Sequence, residues 1–238
     1  MLLLALDTCD SRGSMSVLRD DEVLQSIAHE GTSDYSSWLL PTAGEALRAS
    51  GLRMQDIDVF AAAAGPGSFT GVRIGLTTVK AWSEAYGKPI ASISRLEAMA
   101  SQVVGGQEHL AAFVDAQRGQ VFGGLYSREG TGLKLLEQEM VIEPEGFLNW
   151  VSEQAEGHVV FWISMDPERI TVLDRWAEHA RAGESLQTSA SVLAPTIGRI
   201  GRQRALSGRL TDALALDAEY VRRSDAEIFW KGGARRGS

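Results

Sequence analysis

Leu2-Leu3-Leu4-Ala5-Leu6-Asp7-Thr8, an unbroken apolar run that stops at an aspartate, is echoed later in the chain by Leu110-Ala111-Ala112-Phe113-Val114-Asp115-Ala116. Each run has the length of a fully buried strand, and each leads through a polar turn into a second apolar segment. After the first copy the turn covers 9–13 and the strand 14–18; after the second, Gln117-Arg118-Gly119 precedes a strand over 121–126. Outward from the first copy, the charged turn Arg19-Asp20-Asp21-Glu22 leads to a third strand over 23–28. Leu39, Leu40, Ala43, Ala46 and Leu47 are spaced for a helix over 36–49, with Pro41 expected in its first turn and Gly51 as its stop. A strand over 59–64, a helix over 71–86 closed by Gly87-Lys88-Pro89, a strand over 90–93 and a helix over 95–104 follow. Outward from the second copy come a strand over 133–142, a helix over 144–155, a strand over 159–163, and helices over 167–180 and 189–206. This order suits a duplicated α/β unit of ribonuclease-H type, in which the hairpin after the first strand reaches toward a central cleft. Strand–Asp–turn is also a common string, so coincidence stays open at this level. Val104-Gly105-Gly106-Gln107 is the expected boundary, giving units at 1–104 and 105–206, with a tail from about 207 that packs partly on the first unit and ends in a mobile 232–238.

Bulk properties narrow the function. With 44% hydrophobic and 23% charged residues the 238-residue chain is ordinary globular protein, and no apolar run approaches the ~18 residues of a membrane span. The N-terminal run lacks a basic flank and reads as a strand, not a leader. One cysteine, Cys9, permits no internal disulfide, which fits a cytoplasmic protein. A net charge of −8 argues against independent nucleic-acid binding, which needs a concentrated basic face. The late basic residues, Arg199, Arg202, Arg204 and Arg209 and then Arg222, Arg223, Lys231, Arg235 and Arg236, read as solvated helix and tail.

The most informative turn is Gly65-Pro66-Gly67-Ser68-Phe69-Thr70-Gly71-Val72-Arg73-Ile74-Gly75. Its glycines allow a sharp exit from a strand, and Ser68 or Thr70 can cap the helix that follows. It is not a P-loop, because no lysine follows the last glycine, and not G-x-G-x-x-G, because Thr70 takes the third glycine position. Exposed amides at such a helix start can hold a phosphate, but from the residues alone a structural turn without a ligand is the favoured reading.

As a string it closely resembles the signature of the TsaB/YeaZ family. Leu4-Ala5-Leu6-Asp7-Thr8, Trp38-Leu39-Leu40-Pro41, Val114 through Val121 and Asp217-Ala218-Glu219-Tyr220-Val221-Arg222-Arg223 are similar to other family segments. The resemblance implies an α/β fold of two ribonuclease-H-like domains in the actin-like/sugar-kinase-like (ASKHA) superfamily. It implies a non-catalytic partner of TsaD and of the ATPase TsaE, in a complex that forms N6-threonylcarbamoyladenosine beside the anticodon of tRNAs reading codons that start with A. No cofactor is then expected on this chain alone; ATP/ADP and metal enter through the partners, and tRNA through the complex. Four departures stand out: Tyr35 where histidine occurs, Cys9 and Asp10 in place of smaller residues, no proline before Tyr220, and no glycine turn at Ile163-Ser164-Met165-Asp166.

Competing chemistries each require residues that can be checked in the chain. TsaD holds its metal with histidines one helical turn apart, whereas His29, His109, His158 and His179 share no such turn. A glycoprotease-type peptidase would need glycine two residues after Ser68, where Thr70 stands. An ATP-dependent sugar or acid kinase is the principal alternative: Asp7 and Asp115 could flank Mg²⁺, with Thr8 on a phosphate. The other reading is that both aspartates cap their own turns, leaving Asp7 and Thr8 as a vestigial phosphate site. For docking, the expected interface is Trp38, Leu39, Leu40, Gly71, Arg73, Gly75 and Val79, with Gly71 and Gly75 admitting a partner helix. The same face is expected to form a homodimer when the partner is missing.

Overall fold

The computed structural model describes residues 1–29, 31 and 34–216. The family-like segment at 217–223 and the expectation for 232–238 lie outside the described residues.

The first sheet contains β1 (Leu2–Asp7), β2 (Ser14–Arg19), β3 (Glu22–Ala28), β4 (Val59–Ala63) and β5 (Ile90–Ile93) in the order β3-β2-β1-β4-β5. β1–β2 and β2–β3 are antiparallel, while β1–β4 and β4–β5 are parallel. The second sheet contains β6 (His109–Asp115), β7 (Val121–Glu129), β8 (Gly132–Leu135), β9 (Met140–Ile142), β10 (Val160–Ser164) and β11 (Ser185–Thr188). Read as β8-β7-β6-β10-β11, it repeats the first order and the same antiparallel-then-parallel pattern, with β9 added beside β7. The echoed apolar runs are thus the central strands β1 and β6 of two equivalent sheets, each ending in its aspartate.

Helices α1 (Tyr35–Ala49), α2 (Phe69–Tyr86) and α3 (Arg95–Ala100) belong to the first half, and α4 (Pro144–Gln154), α5 (Glu168–Thr171), α6 (Trp176–Arg181) and α7 (Ala194–Leu206) follow. The alternation of β1 sends Leu4 and Leu6 to one face and Leu3 and Ala5 to the other. α2 meets the Leu6 face and α7 the Leu3 face. The alanines of β4 allow α7 to come close: a Cβ on Gly201 would lie 2.9 Å from that of Ala61.

α7 corrects the expected boundary at 206. It packs chiefly on β1, β2, β4 and β5 of the first sheet, and Ser14 in β2 accepts the N–H groups of Leu193 and Ala194 at its start (3.1 and 3.0 Å). An amphipathic pattern states that a helix buries one face, but not which sheet receives it. The chain then exchanges backbone hydrogen bonds between Thr211 and Ile90 (2.8 Å each), and Ala213 and Leu216 enter the first core.

Other elements also differ from expectation. Pro41 lies in the second turn of α1, on its exposed side, where solvent can serve the carbonyl left without a donor. The strand expected over 133–142 is two, because Glu137-Gln138-Glu139 interrupts it and the chain returns along β7. The helix over 167–180 breaks near β-branched Thr171 and Val172, and the last helix starts at Ala194, not 189. α3 stops at Ala100, and the polar edge strand β11 carried no apolar alternation to announce it.

Candidate functional site

The carboxyl ends of β1 and β6 lie at the junction of the halves, where a kinase reading would place metal and phosphate. Asp7 is fully buried. Its Oδ1 accepts the Cys9 N–H (2.8 Å), and its Oδ2 accepts from Arg95 Nε (3.2 Å). Arg95, at the start of α3 and 1% exposed, also holds Asp10 through Nη2 (2.8 Å) and reaches Met165 Sδ across the junction (3.5 Å). Arg12 extends the network: it binds Asp10 (2.6 Å) in the first half and Asp166 (2.9 Å) in the second. Asp166 in turn accepts the backbone N–H of Asp115 (2.9 Å), whose carboxylate takes the Gln117 N–H (2.9 Å) and Arg169 (2.6 Å).

Electrostatics follow from this pairing. Burial alone would raise the Asp10 carboxyl, but Arg95 and Arg12 outweigh it and hold the group below its usual value. Burial works against the Arg95 charge, and Asp7 and Asp10 more than restore it. Burial, with Asp7 beside it, pushes the Cys9 thiol well up, which leaves it a poor nucleophile.

Both aspartates therefore cap their turns, and each also has an arginine partner. Thr8 is likewise engaged: its hydroxyl donates to the Gly71 carbonyl (2.7 Å). A Mg²⁺–phosphate group would have to displace a guanidinium that cannot lose its charge, so these side chains do not fit that group. Arg95, Arg12, Asp166 and Arg169 were missed in the sequence, because ion pairs across the junction leave no local spacing. The one signal was negative, the absent glycine turn at 163–166.

The glycine-rich turn is stitched to this junction. Gly65 has φ +117°, a conformation reserved for glycine, and its carbonyl accepts the Arg95 N–H (2.6 Å). The Gly65–Pro66 peptide is cis. Ser68 caps α2 by accepting the Gly71 N–H (3.3 Å). A Cβ on Gly71 would strike the Thr8 carbonyl, and one on Gly75 the Thr8 hydroxyl, with Leu6 Cδ1 at 3.1 Å. The expectation that these two glycines admit a partner helix is corrected: they seat α2 on its own strand. Val79 and Leu39 are likewise core. Trp38 is partly buried, in edge contact with His29 and Tyr35 at 5.1 and 5.9 Å between centroids.

The outward residues are others. Leu40 is 63% exposed and Phe69 38%, with Thr70 beside Phe69 also exposed. The Arg73 guanidinium carbon lies 3.7 Å above the Phe69 ring centre. Of the late basic residues, those from Arg222 onward lie outside the described residues, while Arg202 binds Asp20 and Asp21, Arg204 binds Glu97, and Arg199 reaches the Asp21 carbonyl.

A family model described as TsaD: tRNA N6-adenosine threonylcarbamoyltransferase matches residues 23–166, more than half of the chain. The tRNA threonylcarbamoyladenosine biosynthesis protein TsaB of Bacillus subtilis is 31% identical over 151 residues, 63% of this chain and 65% of that one. The match thus spans just under two thirds of that relative. The Haemophilus influenzae protein of the same name is 26% identical over 244 residues, covering 97% and 96%. A Pseudomonas aeruginosa structure described as similar to the peptidase YeaZ superposes with TM-score 0.78 at 25% identity, covering 93% and 99%. The ROK hexokinase of Thermus thermophilus, at TM-score 0.56, 13% identity and coverage of 87% and 100%, shares the fold alone. Two α/β units of matching sheet order, a family model over more than half of the chain and a relative aligned over 97% of it place this protein: it belongs to the TsaB/YeaZ family, within the wider family of the threonylcarbamoyltransferase model.

Proposed function

We propose that the chain is the non-catalytic partner subunit of a complex that forms N6-threonylcarbamoyladenosine beside the anticodon of tRNAs reading codons that begin with A. In this reading a TsaD partner supplies the metal and the transfer chemistry, a TsaE partner handles ATP, and tRNA reaches the chain only within the assembly, in the cytoplasm. The observation that carries the proposal is the closure of Asp7 beneath Arg95, which fills with protein charge the place a kinase gives to metal and phosphate. Its support includes the names of the relatives and the internal pairing of Arg202 and Arg204. No described helix is long and apolar enough to cross a membrane.

The docking face of this proposal is the outer side of α1 and α2, where Leu40, Phe69 and the stacked Arg73 project and Trp38 lies partly covered. Gly71, Gly75 and Val79 contribute from beneath by fixing α2. The same face is the one we expect two copies to share when the partner is missing. Mixing the purified chain with TsaD, TsaE and tRNA tests the proposal: the expected result is a stable complex and stimulated tRNA modification. ATP turnover by the chain alone on a sugar or acid, without stimulation of modification, would overturn it in favour of a kinase.

A further inference from the structure

At the end of the second sheet opposite Asp115, two histidines far apart in sequence come together. His109 opens β6, and His158 precedes β10, whose Val160 pairs with His109 in register. The turn that delivers His158 passes through left-handed backbone at Glu156 (φ 49°) and Gly157 (φ 85°). The two imidazoles stack with centroids 4.6 Å apart and planes 23° from parallel. Glu108 adjoins them, and one ligand atom from each of the three residues lies within 4.8 Å of the others. Nδ1 of His109 is buried and has no hydrogen-bond partner among the described residues, an unmet polar group of the kind that is costly unless something engages it.

We propose that Glu108, His109 and His158 form a binding site for a first-row divalent transition metal of the zinc class. Two imidazole nitrogens and one carboxylate suit Zn²⁺, Co²⁺ or Ni²⁺, and not Mg²⁺ or Ca²⁺, which take oxygen. Tetrahedral coordination at ~2.1 Å spaces donor atoms roughly 3.4 Å apart. The side chains must therefore close by about an ångström, which exposed Glu108 and His158 have room to do. Six residue steps along β6 separate His109 from Asp115, about 20 Å at strand rise. The site is therefore remote from the junction, and it joins β6 to the turn before β10. Sequence spacing excluded two histidines on one helical turn; it carried no information about a pair brought together by neighbouring parallel strands.

The test uses tag-free, chelator-treated protein titrated with Co²⁺ and Zn²⁺ by calorimetry and visible absorption. The expected result is one equivalent bound, with Co²⁺ bands of four-coordination and a metal-dependent rise in melting temperature. His158→Ala and Glu108→Gln, both at exposed positions, are expected to fold normally and to lose at least about tenfold in affinity. Absence of stoichiometric binding, or binding unchanged in His158→Ala, overturns the proposal. None of these readouts depends on tRNA modification, so the site stands or falls separately from the proposed function.

Discussion

Replacing Arg95 by methionine tests the junction most directly. The substitution keeps most of the aliphatic stem and removes the guanidinium that pairs with Asp7 at 3.2 Å and Asp10 at 2.8 Å. Asp10 retains Arg12, but Asp7, fully buried, is left without a counter-charge. Breaking one side of a buried pair costs about 3–5 kcal/mol, a large share of the ~5–15 kcal/mol that holds a domain folded. With a urea slope of about 3 kcal/mol per molar, the unfolding midpoint falls by roughly 1–2 M. Adding Asp7→Asn removes the orphaned charge, and the amide oxygen can still accept the Cys9 N–H. The double variant is therefore expected to recover about 1–2 kcal/mol relative to Arg95→Met. Equilibrium unfolding of the wild type, Arg95→Met, Asp7→Asn and the double variant, with slopes compared, measures this. A loss under about 1 kcal/mol for Arg95→Met, or a double variant no more stable than it, would refute a buried charge pair as the closure of the site.

The pH dependence follows from Asp10, whose carboxyl is held below its ordinary value in the folded chain. Its contribution is fully present above the unfolded value near ~3.9 and disappears as pH falls through the lower folded value. The stability gap between wild type and Arg95→Met should thus narrow below about pH 4, as acid titrations of the midpoint would reveal. Gly75→Ala sets a helix gain of ~1 kcal/mol against overpacking of ~1–3 kcal/mol and a disturbed Thr8–Gly71 hydrogen bond of ~1 kcal/mol. A net loss of about 1–3 kcal/mol, read as a lower melting temperature, is expected, and Gly75→Arg should fail to fold instead of merely failing to dock. By contrast, Arg73→Glu and Leu40→Asp alter exposed positions: melting should change little while affinity for the transferase partner falls at least about tenfold, or ~1.4 kcal/mol. Equal affinity in both variants would remove the α1–α2 face from the proposal.

The sequence determined the strands that form each centre. Leu2 to Leu6 and Leu110 to Val114 are apolar throughout, and such runs are stable only when covered on both faces, so their central position and their repetition were legible in one dimension. So was the turn at Gly65–Ser68, since backbone with φ near +117° requires glycine. What α2 rests on was not legible. Gly71 and Gly75 share a helix face in any fold, but only the path of β1 shows that Thr8 and Leu6 occupy the space beside them. The destination of α7, the arginines that close over Asp7 and Asp10, and the meeting of His109 with His158 belong to the same class. Each joins residues many positions apart, and local periodicity records burial and curvature without naming the partner. Helix and strand signals are fixed by neighbours along the chain; charge pairing and ligand geometry are fixed by neighbours in space, which only the packed structure supplies.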